Sequence, residues 1–271
     1  LDGGYSPLEA TVSLGVAPSL LAADGQRFSP TLGVEGRSSH HRVDDTTAQL
    51  ACLRCLLRAL ASHVLRGNVK RHVIVFAKAP VAGRVKTRLA ARLGEQAALA
   101  AYRSMLEQTL STVASVAAIT RELCVAGEDP SGDCERWAEQ FGVSLSRQSE
   151  GDLGVRMQSS LDGALKDGMN PVLIGADCPA LTGEDILSAF AALESHDAVF
   201  APTEDGGYAL VGVSKRIPSI FTGIPWSTSS VMDLTRRRLE AARCSFALLR
   251  TVWDVDELED WNRWQKESAS G

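Results

Sequence analysis

The chain has 271 residues, 45% of them hydrophobic and 23% charged, and a formal net charge of −5. That length accommodates a substantial core in one large domain or two small ones. The acidic balance argues against general nucleic-acid or anionic-membrane binding, since both reward a basic surface. No apolar run approaches the roughly 20 residues that a membrane-spanning helix needs.

Residues 1 to about 45 are rich in Gly, Ser, Pro and Ala without steady periodicity, and read as irregular. The first residue is Leu1 rather than Met, which fits a truncated or merged reading frame, and no basic-then-apolar secretion signal is visible. His40-His41 lies in this stretch, and an adjacent pair without further ligands reads as an exposed loop. Between Thr46 and Leu65, Leu50, Leu53, Leu57, Leu60 and Val64 recur every three or four residues, which predicts an amphipathic helix. The cysteines at 52, 55, 124, 134, 178 and 244 are too dispersed for a disulfide framework. Cys52-Leu-Arg-Cys55 has no second pair at zinc spacing. A reducing, cytoplasmic location is expected.

From residue 70 onward strand and helix patterns alternate. Val73–Phe76 is a short β-branched and aromatic run, suited to a buried strand. A helix is predicted from about Thr87 to Val116, broken near Gly94, with Leu99, Tyr102, Leu106, Leu110 and Val113 inward. Strands follow at Glu122–Ala126 and Val143–Leu145, with helices at Cys134–Gln140 and Leu153–Leu165. Pro171–Ala176 is wholly apolar, as a central parallel strand is. A helix capped by Thr182 runs to Leu193. Ala198–Thr203 and Tyr208–Val213 then flank Glu204-Asp-Gly-Gly207 with no room for a helix, which predicts a hairpin or tight strand switch. A helix at Ser229–Ala242, a strand at Phe246–Thr251 and a helix at Asp256–Lys266 complete the pattern. The fold class is therefore α/β in three layers around a mostly parallel sheet. The division expected is an extension over 1–68, one domain over 69–267 and a tail over 268–271.

Polar signals gather where such sheets bind ligands, outside the carboxyl ends of the strands. After Phe76 the backbone is broken by Pro80 and Gly83, and Lys78, Arg84, Lys86 and Arg88 follow at the approach to a helix. A strand, a glycine-containing cationic loop and a helix start can present positive charge and backbone N–H groups to a phosphate. Neither common phosphate-loop spacing is present, so a solvated basic turn is the competing reading. Asp177, in Gly175-Ala-Asp-Cys-Pro179, ends a buried strand, where a charge needs an offset. A divalent cation or a hydrogen-bonded turn would each supply it. Asp205-Gly206 reads first as a turn. Asp256 with Glu259 reads as a helix cap with its partner at the third helical position.

The wording Phe76-Ala-Lys-Ala-Pro80, Gly83, Val85-Lys-Thr-Arg-Leu89, followed by Ala176-Asp-Cys-Pro179 and Asp205-Gly-Gly-Tyr208, resembles the DUF2064 family of GT-A-like glycosyltransferases. These are distant relatives of molybdenum-cofactor and phospholactate guanylyltransferases. The resemblance implies a GT-A-like fold and a loop, Lys78, Pro80, Gly83, Arg84, Lys86 and Arg88, that holds nucleotide phosphates. It implies Mg²⁺ or Mn²⁺ on Asp177, with Asp254 or Asp256 completing the site, and Asp205 as general base. Gly151, Asp152 and Gly154 would approach the nucleotide, while Gly206, Gly207, Tyr208 and Trp226 would line the acceptor pocket. The implied activity is glycosyl transfer from a nucleotide-sugar to a small-molecule acceptor. The alternatives are a nucleotidyltransferase that joins an NTP to a phosphorylated small molecule with release of pyrophosphate, and a non-catalytic nucleotide-binding protein.

Overall fold

The apolar run at Val73–Phe76 lies inside a longer strand, β1 (Lys70–Lys78), that is buried on both faces. Val73, Val75 and Ala77 enter one core layer while Ile74 and Phe76 enter the other, which is why both phases of the strand are apolar. Residues 69–218 and 220–269 are described in this computed structural model; the helix read over Thr46–Leu65 lies outside them.

Helices α1 (Thr87–Leu93) and α2 (Glu95–Ser115) follow, separated at Gly94, whose φ of 84° suits glycine. Leu99, Tyr102, Leu106, Leu110 and Val113 are all buried on α2. The unit then repeats through β2 (Thr120–Ala126), α3 (Asp133–Phe141), β3 (Ser144–Arg147), α4 (Leu153–Lys166) and β4 (Met169–Gly175). The rest comprises α5 (Gly183–Ala192), β5 (Ala198–Pro202), β6 (Tyr208–Val213), α6 (Val231–Ala241), β7 (Phe246–Leu248) and α7 (Leu258–Ala269).

The seven strands lie in the order β3-β2-β1-β4-β6-β5-β7. All adjacent pairs are parallel except those of β6, which runs antiparallel to both β4 and β5. The segment around Asp205 is thus a hairpin turn, as its sequence implies. Side chains of α2, α3 and α5 cover one face of the sheet, and those of α4 and α6 cover the other. Among the described residues no helix is long and apolar enough to cross a membrane.

Several strand boundaries shift by one to three residues from the sequence reading, those of β3 and β7 among them. Val143 stays outside β3 but is buried. β7 stops at Leu248, although the Leu249 and Val252 N–H groups still donate to the Phe200 and Pro202 carbonyls of β5, and a bridge joins Thr203 and Val252.

Strand order places the working edge. The chain leaves β1 toward β2 on one side and comes back from β3 to β4 on the other, so the order reverses between β1 and β4. Loops that leave such a pair diverge, opening a crevice at the carboxyl ends. The loop after β4 is braced from α5. Thr182 and Asp185 form a reciprocal capping box. Asp185 also receives Arg250 Nε and Nη2 at 2.8 and 2.7 Å, while that Nη2 donates to the Ala180 carbonyl at 2.6 Å. Burial disfavours the charged Asp185, but the hydrogen bonds from Arg250 and Thr182 outweigh it and hold its carboxyl below the usual range.

A depressed carboxyl contributes stability above its unfolded pKa and loses it as the pH falls. Asp185→Asn is therefore expected to cost about 2 kcal/mol at pH 7. In urea unfolding, the gap from the wild type should close as the pH drops below about 4.

Candidate active site

The basic loop is held at both ends. Tyr102 of α2 accepts a hydrogen bond from the Lys78 N–H and donates one to the Lys78 carbonyl, each at 2.8 Å, so the last residue of β1 is pinned. Beyond it, Pro80 and Val85 are buried, whereas Gly83 and Arg84 sit on an exposed turn. Gly83 has φ +74°, and a Cβ there would lie 3.0 Å from the Glu95 carboxylate. The loop ends at Lys86, the N-cap of α1, in a left-handed conformation with φ 45° and ψ 50°. Few residues other than Gly, Asn and Asp adopt that conformation readily.

Lys86 Nζ lies 3.1 Å from Asp177 Oδ2 and 3.9 Å from Asp256 Oδ1. The Lys86 side chain is only 6% exposed, while that of Asp177 is 46% exposed. Lys86 is the main cause that holds the Asp177 carboxyl below its ordinary range; burial opposes it and Lys78 adds a smaller pull. Gly175 makes room for this arrangement, because a Cβ there would fall 2.8 Å from Asp177 Oδ1. Arg88 Nη1 reaches Asp256 Oδ2 at 2.7 Å.

A second loop is stitched to the first by backbone. The Val255 N–H donates to the Asp177 carbonyl at 2.9 Å, and Cys178 Sγ–H donates to the Trp253 carbonyl at 3.1 Å. Asp254 lies between those ties. Burial, then the charges of Asp177 and Asp205, push its carboxyl up to about 6, with Lys86 acting in the opposite sense. The reading of Asp256 and Glu259 as a capping pair needs correction. Asp260 accepts the Asp256 and Glu257 N–H groups at 3.1 and 2.9 Å, and the helix begins at Leu258. With the cap filled by Asp260, the Asp256 carboxylate serves Arg88 and Lys86.

The hairpin between β5 and β6 brings the third acid. Asp205 Oδ1 accepts the Gly207 N–H at 3.0 Å and the Thr203 hydroxyl at 2.5 Å, so both turn bonds fall on one oxygen. Gly206 has φ +88°, and a Cβ there would lie 2.2 Å from the Ser229 carbonyl; only glycine permits this approach. The Glu204 N–H donates to the Val252 carbonyl at 3.0 Å, which keeps the hairpin beside the Asp254 loop.

Other sequence candidates take structural places. Asp152 is the N-cap of α4 and accepts from the Val155 N–H. Gly154 is buried, and a Cβ there would meet the Phe221 carbonyl at 2.6 Å and Trp226 at 2.9 Å. Packing therefore fills the space beside its Cα. Gly151, at φ +116°, forms the turn before α4. Tyr208 and Trp226 stack edge to face at 6.5 Å and both contact the core beneath α4, so each offers at most one side to a ligand.

Sequence reasoning missed Gln148. Its Nε2 donates at 3.0 Å to the carbonyls of both Ala77 and Cys124, and its Oε1 accepts from Arg156 at 3.0 Å. The only signal was its position just past a strand end.

The DUF2064 family model, described as "Uncharacterized protein conserved in bacteria", matches residues 109–228. Over that span the chain is similar to DUF2064. The span includes Asp177 and the Asp205 turn; the basic loop and Asp254 fall outside it. A candidate nucleotide-diphospho-sugar transferase from Desulfovibrio desulfuricans G20 is 29% identical at a TM-score of 0.67, over 74% of this chain and 88% of that one. A 4-diphosphocytidyl-2C-methyl-D-erythritol synthase from Anaerococcus prevotii DSM 20548 is 14% identical at a TM-score of 0.51, over 73% and 96%. At that identity the fold alone is shared: the chain has the nucleotide-diphospho-sugar transferase fold. No curated protein matches the chain.

Among the described residues, no three His, Cys, Asp or Glu side chains form a closed ligand set for a metal. Asp177, whose side chain is 46% exposed, and Asp254 lie on loops joined by the Val255–Asp177 backbone bond, and Lys86 offsets the Asp254 charge only in part. Two carboxylates with substrate oxygens supplying the rest is a donor set suited to Mg²⁺ or Mn²⁺. In that sense these two residues fit such an ion.

An acid raised in the folded state costs stability once it must ionise. Asp254→Asn is expected to stabilise the chain by about 2 kcal/mol at pH 8, an amount that shrinks as the pH falls from about 6 to 4. Denaturant titrations at several pH values would measure it; no gain at pH 8 would contradict the assignment.

Proposed function

We propose that residues 69–267 form a glycosyltransferase domain that moves a sugar from a nucleotide-sugar donor to a small-molecule acceptor. The carrying observation is the 3.1 Å meeting of Lys86 with Asp177 at the carboxyl ends of β1 and β4. Cations suited to a diphosphate and carboxylates suited to a metal ion meet there, and the fold is one that accommodates nucleotide-activated substrates. The 29%-identical Desulfovibrio protein, a candidate for the same class, supports this reading.

In this proposal Lys78, Arg84, Lys86 and Arg88 surround the donor diphosphate and neutralise the charge that grows as it leaves. Arg forks fit paired phosphate oxygens, and Lys acts as a point charge. Asp177 and Asp254 would hold Mg²⁺ or Mn²⁺, which when bound polarises the phosphate oxygens. Asp205 takes the proton from the acceptor hydroxyl. Its Oδ1 is engaged by Thr203 and Gly207, which fixes the carboxylate and leaves Oδ2 for the acceptor. Trp226 and Tyr208 border the acceptor side.

Nucleotidyl transfer needs the same cations and acids but breaks a different bond. Supplying NTPs and nucleotide-sugars in separate assays, with Mg²⁺ or Mn²⁺, distinguishes the two through pyrophosphate or nucleoside diphosphate release. Nucleoside diphosphate released from a sugar nucleotide is the expected outcome. Pyrophosphate formed only with a phosphorylated acceptor would overturn it, and nucleotide binding without turnover would favour a non-catalytic role. Asp177→Asn is expected to lower turnover at least about 100-fold while the melting temperature moves by only a few degrees.

A further inference from the structure

The Lys86 ammonium already occupies the cation position of Asp177. It is the less exposed member of the pair, enclosed at 6% while the carboxylate opens to the crevice at 46%. It is shared with Asp256 at 3.9 Å, and its own backbone is left-handed at the start of α1. A side chain merely lying on the surface would show none of these constraints. An ammonium 3.1 Å from a carboxylate and a divalent cation on the same carboxylate repel each other strongly at such short range.

We propose that Lys86 is the resident counter-ion of Asp177, and that a divalent cation engages this carboxylate only when the donor's diphosphate draws the ammonium away. The inference rests on the transferase reading. Asp256 does not hold Lys86 back, because Arg88 remains with it at 2.7 Å. The diphosphate offers the ammonium a new anionic partner within reach of its flexible stem. Metal alone then binds weakly, diphosphate alone binds weakly, and each strengthens the other by the same factor. Lys86 thereby acts as a positioning residue that couples donor and metal.

The test is a Mn²⁺ titration of the full chain followed by electron paramagnetic resonance, without nucleotide. Lys86→Met is expected to bind Mn²⁺ about tenfold or more tightly than the wild type. Adding Asp177→Asn to that variant should abolish the gain. Lys86→Gly, which suits the left-handed backbone, supplies the same comparison if the Met variant does not fold. Equal or weaker Mn²⁺ binding after removal of the lysine would overturn the proposal. A separate thermal-shift series with ADP, GDP, CDP and UDP, each with Mn²⁺ present, tests the underlying reading. If none of them raises the melting temperature, the transferase assignment fails, while the lysine comparison still decides the role of Lys86.

Discussion

The contact between Lys86 and Asp177 joins the two strands at which the sheet order reverses. Either charge alone at the end of a buried strand would be costly. Together they let two loops approach that would otherwise be driven apart by unshared charge. Much of the neighbouring construction fixes this meeting. Tyr102 pins the end of β1, Gly175 clears space for the carboxylate, and Val255 ties the Asp177 backbone to the next acidic loop. The site is thus set by main-chain geometry before any side chain selects a ligand.

Backbone stitching also explains why acids accumulate there. Asp177, Asp205 and Asp254 come from segments far apart in sequence, and each segment is bonded to its neighbour through peptide groups. The chain tolerates the resulting repulsion because bonds between the loops, together with the Arg250–Asp185 brace, hold them in place. Sites commonly retain a destabilised group of this kind where chemistry requires it.

Most of the fold was legible because two periodicities speak clearly in this chain. The doubly apolar β1 and β4 could only be buried strands, and the α2 stripe from Leu99 to Val113 matches a helix face. The Asp-Gly turn implied the hairpin, but nothing local could say that β6 would enter between β4 and β5, since strand order is a tertiary outcome. Of the candidate residues, Lys86, Arg88, Asp177 and Asp256 meet directly. Their meeting depends on strands β1 and β4 lying adjacent, which spacing along the chain does not encode. Gly154 shows that a glycine before a helix can serve close packing as readily as ligand approach, since Phe221 and Trp226 take the space that a Cβ would need. Gln148 escaped notice because an amide that bridges two strand carbonyls leaves no motif.

Cys178 follows the central acid, a place where a reactive sulfur would be hazardous. It is 3% exposed and gives its hydrogen to the Trp253 carbonyl. Burial, followed by the charges of Asp177 and Asp254, pushes its thiol up to about 12. Thiolate is the nucleophilic form, so this sulfur stays inert toward electrophiles and mild oxidants. The acids that create the negative crevice therefore also protect it chemically, and the half-exposed Cys244 is more open to sulfur-directed labels.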